Sequence, residues 1–301
     1  MSTQADCESE GPDTLESIDP FRPGGTGIRV VTGAGTHAGK VRSNNEDHYL
    51  VARLAKSMQI CHSSLQHAGE MKFSDEDGYL LVVADGMGGA AAGERASALA
   101  LESVEQFTLN TLKWFLHLGG SDESVLKAEL RHGLESADRA VVRQAEGDVK
   151  LAGMGTTLTM AFSVGTDLFI VHAGDSRAYL FRDGHLEQIT SDHTLVQLLV
   201  TGGVLSREDA KTHKRRNVVT NVIGGPNPGV HAEIHKVRLM DGDTLLICSD
   251  GLTEPVSDEK IAGVLASNPP PGDAVDRLIE LALANGGPDN VTAVVARYEF
   301  V

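Results

Sequence analysis

The sequence predicts a layered α+β fold in which antiparallel sheets are covered by pairs of helices. Short runs rich in β-formers recur along the chain, and Asp-Gly pairs stand between several of them. Helical periodicity arrives in pairs, 93–116 with 122–144 and 258–267 with 273–285. The regular β-α-β alternation of a parallel sheet is missing.

In chain order, residues 1–26 read as an acidic disordered tail. Asp6, Glu8, Glu10, Asp13, Glu16 and Asp19 are scattered there among Ser, Gly and Pro with almost no apolar pattern. Residues 27–301 read as one domain. Strands are expected at 28–32, 48–51, 79–84, 156–164, 168–173, 177–181, 232–237, 244–248 and 291–298. A polar stretch at 55–77 is expected to interrupt two strands as a surface insertion. A short helix is expected at 195–202. Gly286-Gly287 should end the last long helix, because glycine accepts the left-handed conformation of a C-cap.

Composition narrows the function classes. The 301 residues are 41% hydrophobic, enough for a full core. Forty-two acidic residues against 26 basic ones give a formal net charge of −16, the wrong balance for a nucleic-acid binder. Cys7, Cys61 and Cys248 are odd in number, far apart and without zinc spacing, as in a reducing compartment. No apolar run reaches the ~18 residues of a membrane span. Residues 1–23 lack the apolar region of a signal peptide. A cytoplasmic monomer without membrane or nucleic-acid partners is the expectation.

Asp-Gly occurs five times. At Asp183-Gly184 and Asp241-Gly242 a β-formation run precedes and another follows, so both read as hairpin turns. Asp85 and Asp250 differ. Each ends an almost wholly apolar run, Tyr79-Leu80-Leu81-Val82-Val83-Ala84 and Thr244-Leu245-Leu246-Ile247-Cys248-Ser249. Such runs suit strands buried on both faces. A carboxylate at the end of a buried strand is costly unless a positive charge meets it. Asp289, Glu46, Asp47 and Asp175 also stand at expected strand ends, mostly among glycines. Each alone suits a turn or cap. Together, with no Cys or His cluster beside them, they form an all-oxygen set that favours Mg²⁺ or Mn²⁺ over zinc or copper.

These residues carry a likeness. Val41-Arg42-Ser43-Asn44-Asn45-Glu46-Asp47, Val83-Ala84-Asp85-Gly86-Met87-Gly88-Gly89, Gly153-Met154-Gly155-Thr156-Thr157-Leu158, Ala173-Gly174-Asp175-Ser176-Arg177-Ala178, Ser249-Asp250-Gly251-Leu252 and Gly287-Pro288-Asp289-Asn290-Val291-Thr292 stand in this order over about 28–299. The chain thereby resembles the metal-dependent type 2C protein serine/threonine phosphatases, particularly their bacterial branch. Each motif is weak alone; the ordered set is specific.

The resemblance implies a four-layer αββα sandwich, two antiparallel sheets flanked by helix pairs. It implies hydrolysis of phosphoserine and phosphothreonine in proteins, themselves products of a serine/threonine kinase. Two Mn²⁺ or Mg²⁺ ions would sit between the sheets, and a hydroxide bridging them would attack phosphorus directly. Asp85 would bridge both metals, the Gly86 carbonyl would bind one, and Asp250 with Asp289 would complete the second. Glu46 and Asp47 would act through water. Arg42 would hold the substrate phosphate, its planar fork matched to two oxygens. Asp175 and Asp250 resemble the pair that holds a third, weaker metal.

Eukaryotic relatives often carry a histidine after the first Asp-Gly, thought to protonate the leaving group. Met87 stands there instead and cannot. His193 is the nearest alternative donor that the sequence offers, against its reading as a helix-entry residue beside Asp192. The family's variable flap would span about 192–218. It carries Lys211, His213, Lys214, Arg215 and Arg216, either a solvated face or a surface for acidic phosphopeptides.

Two rival readings remain. Ala34-Gly35-Thr36-His37-Ala38-Gly39-Lys40 nearly spells a nucleotide-phosphate loop, but Val41 stands where Ser or Thr must bind Mg²⁺. The alternative is a catalytically inactive phosphatase-fold signalling module. Such a protein would be expected to lack one of the acids, and Asp85, Asp250 and Asp289 are all present.

Overall fold

The computed structural model describes residues 27–59, 71–88, 92–110, 123–227 and 229–301. Two antiparallel sheets face each other. One is built from β1 (Ile28–His37), β12 (Val291–Phe300), β11 (Thr244–Cys248), β7 (Arg177–Arg182) and β8 (His185–Gln188), in that spatial order. The other runs β10 (Glu233–Arg238), β6 (Asp167–Ala173), β5 (Leu158–Val164), β3 (Met71–Met87), β4 (Gly155–Thr156) and β9 (Ile223–Gly224), with β2 (Asp47–Gln59) also paired to β3. Helices α1 (Ala92–Asn110) and α2 (Glu123–Gly147) cover the second sheet. The short helices α3 (Leu195–Thr201) and α4 (Arg207–Thr212) lie between β8 and β9, and the one-turn α5 (Asp250–Thr253) follows β11. Helices α6 (Asp258–Ala266) and α7 (Pro271–Ala284) cover the first sheet. The result is the αββα sandwich.

The apolar runs dictate this layering. In β3, Leu80, Val82 and Ala84 pack towards α1 and α2, while Leu81 and Val83 enter the core between the sheets. In β11, Leu246 and Cys248 face α6 and α7, while Leu245 and Ile247 meet Leu81 and Val83. Side chains alternate across a strand, so only a strand covered on both faces can be apolar throughout. Each fully buried Leu or Val contributes about 1.5–3 kcal/mol.

Helix ends follow the chemistry of their caps. Pro271 opens α7 where its missing N–H costs nothing. Asn285 closes it, and Gly286 and Gly287 follow with φ of 115° and 52°. The carbonyl of Gly287 then accepts the Lys40 amide at 2.8 Å, tying the end of α7 to the loop after β1.

Several expectations change. Asp183-Gly184 is the hairpin turn between β7 and β8, both residues at positive φ, 50° and 79°. Asp241-Gly242 is not a hairpin turn. The strands it connects lie in different sheets, so it carries the chain from one layer to the other. The break at 55–77 is narrower than expected, because β2 and β3 pair to Gln59 and from Met71. The tail, Cys7, Cys61 and the last part of the helix expected at 93–116 lie outside the described residues. Helix α4 and strand β9 carry too little periodicity to announce themselves. Among the described residues, no helix is long and apolar enough to cross a membrane.

The segment resembling a nucleotide loop is the end of an edge strand, residues 34–37, and the turn after it. β1 pairs with β12 as far as His37, and no helix follows it. Two glycines of β1 answer to α7 instead. A Cβ on Gly33 would run into the backbone of Pro271 and Gly272, and one on Gly35 into Val275 and Ile279. Gly33→Ala is therefore expected to destabilise the protein by about 1–3 kcal/mol through overpacking. Urea unfolding should show the loss; an unchanged midpoint would mean that α7 shifts without cost.

Candidate metal and phosphate site

A cleft of about 440 Å³ opens where the ends of both sheets meet. Its lining includes Arg42, Glu46, Asp85, Gly86, Asp175, Asp250 and Asp289. Asp47 lies beneath them, directly opposite Asp85 in the β2–β3 pairing. The structure thus gathers all eight residues singled out from the sequence. They come from five separate strand ends and the loops beside them.

Local chemistry explains each position. Asp85 is held through its backbone: its carbonyl accepts Thr157 N–H at 2.9 Å and the Thr156 hydroxyl at 2.8 Å, and its amide donates to Thr157 Oγ1 at 3.1 Å. Its carboxylate is thereby left to the cleft. A Cβ on Gly86 would strike the Gly93 backbone and the Glu46 carbonyl, so only glycine lets β3 pass between them. Asp250 opens α5 immediately after buried Ser249. Gly251 is required because a Cβ there would collide with the Asn290 carbonyl.

Asp47 is 4% exposed. Its Oδ2 accepts from Ser249 Oγ at 2.8 Å and Thr292 Oγ1 at 2.7 Å. Its Oδ1 is buried without a hydrogen-bond partner. Asp85 is the facing side chain, and a carboxyl donates only when protonated.

The electrostatics are lopsided. Burial, then the charges of Asp47, Asp250, Asp175 and Asp289, pushes the Asp85 carboxyl well above the usual range. Burial and the neighbouring acids push Asp250 the same way. Burial lifts Asp47 and Asp175 to about 6 each, and raises Glu46 as well. Arg42 is the one basic side chain among the described residues lining the cleft. Its Nη2 donates to Asp289 Oδ2 at 2.7 Å from the exposed rim. Six crowded carboxylates and a buried oxygen with no donor fit hard divalent cations, which take oxygen ligands and keep part of their water. The donor set suits Mg²⁺ or Mn²⁺.

Some contributors escaped the sequence reading. Asn290 Nδ2 donates to the carbonyls of Ala38 and Asn44, at 3.0 and 2.8 Å, and its Oδ1 accepts the Glu46 amide at 2.8 Å. One amide thus clamps the loop that carries Arg42, Glu46 and Asp47. Ser97, buried on α1, donates to the Glu46 carbonyl at 2.6 Å. Asn290 stood in a quoted motif, but its partners are backbone groups that no sequence pattern marks. Met87 lines the cleft without a proton to give.

His193 does not line the cleft and directly precedes Thr194, the N-cap of α3, as its helix-entry reading has it. Both its ring nitrogens are engaged elsewhere, with Gly174, Asn221 and Glu233. The flap sends Asn217 and Val219 to the cleft, and its basic cluster stays off the lining. Arg216 pairs with Glu254 at 3.5 Å and Lys211 with Glu208 at 3.2 Å.

Comparison with known proteins agrees with this geometry. The protein phosphatase 2C family profile matches residues 64–282. The chain is 43% identical over 218 residues to the serine/threonine protein phosphatase PstP of Mycobacterium tuberculosis, covering 72% of this chain and 40% of PstP. It is 35% identical to the serine/threonine phosphatase stp of Listeria welshimeri, covering 72% of this chain and 83% of that protein. The solved catalytic domain of PstP in complex with two manganese ions superposes with a TM-score of 0.70 at 37% identity, covering 90% of this chain and 99% of that one.

Proposed function

The chain belongs to the protein phosphatase 2C family, and on that premise we propose that it is a metal-dependent hydrolase of phosphoserine and phosphothreonine in proteins. The observation that carries this reading is the buried, partnerless Asp47 Oδ1 within a ring of carboxylates, with Arg42 at the rim. Asp85, Asp250, Asp289 and the Gly86 carbonyl would hold two Mn²⁺ or Mg²⁺ ions. Glu46 and Asp47 would act through water, and Asp175 with Asp250 would hold a third ion. When bound, such ions lower the pKa of water and stabilise an in-line displacement at phosphorus.

The chain's own groups do the rest. Arg42, 57% exposed in its side chain and aimed by Asp289, receives the substrate phosphate. Asn290 and Ser97 keep its loop in place. Met87 supplies no proton, so the leaving oxygen takes one from water. Phosphorylated proteins made by serine/threonine kinases are the substrates in this reading, acted on by a cytoplasmic monomer. The test is phosphate release from a phosphothreonine peptide in the presence of Mn²⁺; no release above the enzyme-free control would end the proposal.

Arg42→Ala is expected to lower kcat/KM for the phosphopeptide about 10- to 150-fold, the loss of a charged contact of about 1.5–3 kcal/mol. Mn²⁺ affinity by calorimetry should stay the same. A lost metal affinity would instead make Arg42 a structural partner of Asp289.

A further inference from the structure

His172 on β6 is fully buried, and His193 stands just before α3; their ring centroids are 4.7 Å apart. With Glu233 they form the one set among the described residues whose ligating atoms lie within 4.8 Å of one another. That spacing suggests a transition-metal site, but the hydrogen bonds exclude it. The Gly174 amide donates to His193 Nδ1 at 3.2 Å, and Asn221 Nδ2 approaches the same nitrogen at 2.9 Å. The Asn221 amide is oriented by the backbone of His231. Its Nδ2 donates to the His231 carbonyl at 2.8 Å, and its Oδ1 accepts the His231 amide at 2.9 Å. Both groups reaching Nδ1 are therefore donors. Nδ1 must be the bare nitrogen, and Nε2 carries the hydrogen that it donates to Glu233 Oε2 at 2.8 Å. A metal at Nε2 would strip the ring of its last proton, whereas histidine ligands normally keep an N–H to donate on the other side.

The same ring grips a turn next to the cleft. His193 N–H donates to the Gly174 carbonyl at 2.7 Å, so residues 174 and 193 are clasped in both directions. Gly174 has φ of 126°, and a Cβ there would strike Thr157, so the turn into Asp175 requires glycine, the residue with the most backbone freedom to restrain. From the other side, the Thr220 amide and hydroxyl donate to the His193 carbonyl at 2.7 and 3.0 Å. Thr220 and Asn221 follow directly on Val219, which lines the cleft. Glu233 anchors the far end of the ring and also accepts from Ser191 N–H at 3.1 Å.

We infer that His193 is a positioning residue whose neutral ring staples the Gly174–Asp175 turn to the base of the flap, fixing together the Asp175 carboxylate and the flap residues at the cleft. In its effect on activity this rests on the phosphatase reading and on Asp175 as a ligand of the weaker metal; the ring's protonation does not.

The experiment compares His193→Asn with His193→Leu. Asparagine keeps an acceptor oxygen close to the place of Nδ1, while leucine removes it at similar bulk. Activity on a phosphothreonine peptide and on an aryl phosphate is followed through a Mn²⁺ titration. In His193→Leu the half-saturating Mn²⁺ is expected to rise about 10-fold or more, the usual cost of losing an outer partner of a metal ligand. kcat at saturating Mn²⁺ should stay within about threefold, equally for both substrates, since the ring touches neither. His193→Asn should restore wild-type Mn²⁺ dependence. In parallel, ¹⁵N-histidine NMR of the wild type should show His193 as the Nε2–H tautomer, unchanged by equimolar Zn²⁺. The inference is overturned by an Nδ1–H tautomer, by stoichiometric Zn²⁺ shifting both His172 and His193, or by the two variants behaving alike. If wild type releases no phosphate, the phosphatase reading fails, and the NMR result still decides the staple.

Discussion

Asp85→Asn is expected to remove nearly all turnover while the fold survives, and Asp250→Asn to do the same. Both carboxylates line the cleft from strand ends whose backbones are held independently of the side chain. An amide offers one neutral oxygen where the proposed ions need a charged ligand, so the loss should exceed tenfold in kcat, at least about 1.4 kcal/mol on the barrier. A variant that kept more than about a tenth of wild-type kcat at saturating Mn²⁺ would show that the residue is not a ligand. The stability effect runs the other way. Asp85 is disfavoured as an anion by burial and by Asp47, Asp250, Asp175 and Asp289. Removing its charge relieves that repulsion, so calorimetry of metal-free Asp85→Asn at pH 8 should give a higher Tm than metal-free wild type.

Withdrawal of metal should abolish activity and reveal the strain of the empty carboxylate ring. After dialysis against EDTA, phosphate release should fall to background and return with Mn²⁺ or Mg²⁺; undiminished activity would remove metals from the mechanism. Stability should then depend on pH in a defined sense. Asp47 and Asp175 hold their protons to about pH 6 in the fold, against an ordinary value of 3.8. Between those values the folded state binds more protons than the unfolded chain. Stability therefore falls as pH rises from about 4 through about 6. Metal-free protein should melt higher at pH 5 than at pH 8. Mn²⁺ binds the ionised carboxylates, and at 100 times its Kd it should return about 2.7 kcal/mol. The Tm at pH 8 should rise accordingly. A metal-free Tm that climbs with pH would contradict the electrostatics of the cleft.

Much of this was legible from residue order. Runs such as Leu80 to Ala84 and Leu245 to Cys248 fixed strands covered on both faces, because an all-apolar strand has no face to give to water. The carboxylates ending those runs marked the site, because a charge there demands compensation. Asp241-Gly242 misled because turn chemistry is local, whereas the sheet that a strand joins depends on partners far along the chain. The nucleotide-loop reading, set aside on Val41, is also excluded by packing that no local pattern shows. Gly33 and Gly35 are small to admit α7, some 240 residues onward.

What the sequence determined by itself was therefore the inventory: which runs are strands, that both their faces are buried, and which acids stand at their ends. These follow from near-neighbour chemistry, side-chain alternation and the cost of burying charge. Only the tertiary structure decided who meets whom. It set Asp47 across from Asp85 and left Asp47 Oδ1 without a partner. It put Arg42 on Asp289, made Asn290 a clamp on three backbone groups, and turned His193 away from the cleft to hold Gly174. The partners of Asn290, and the Gly174 amide that His193 holds, are backbone atoms identical at every residue, so no side-chain pattern could have named them.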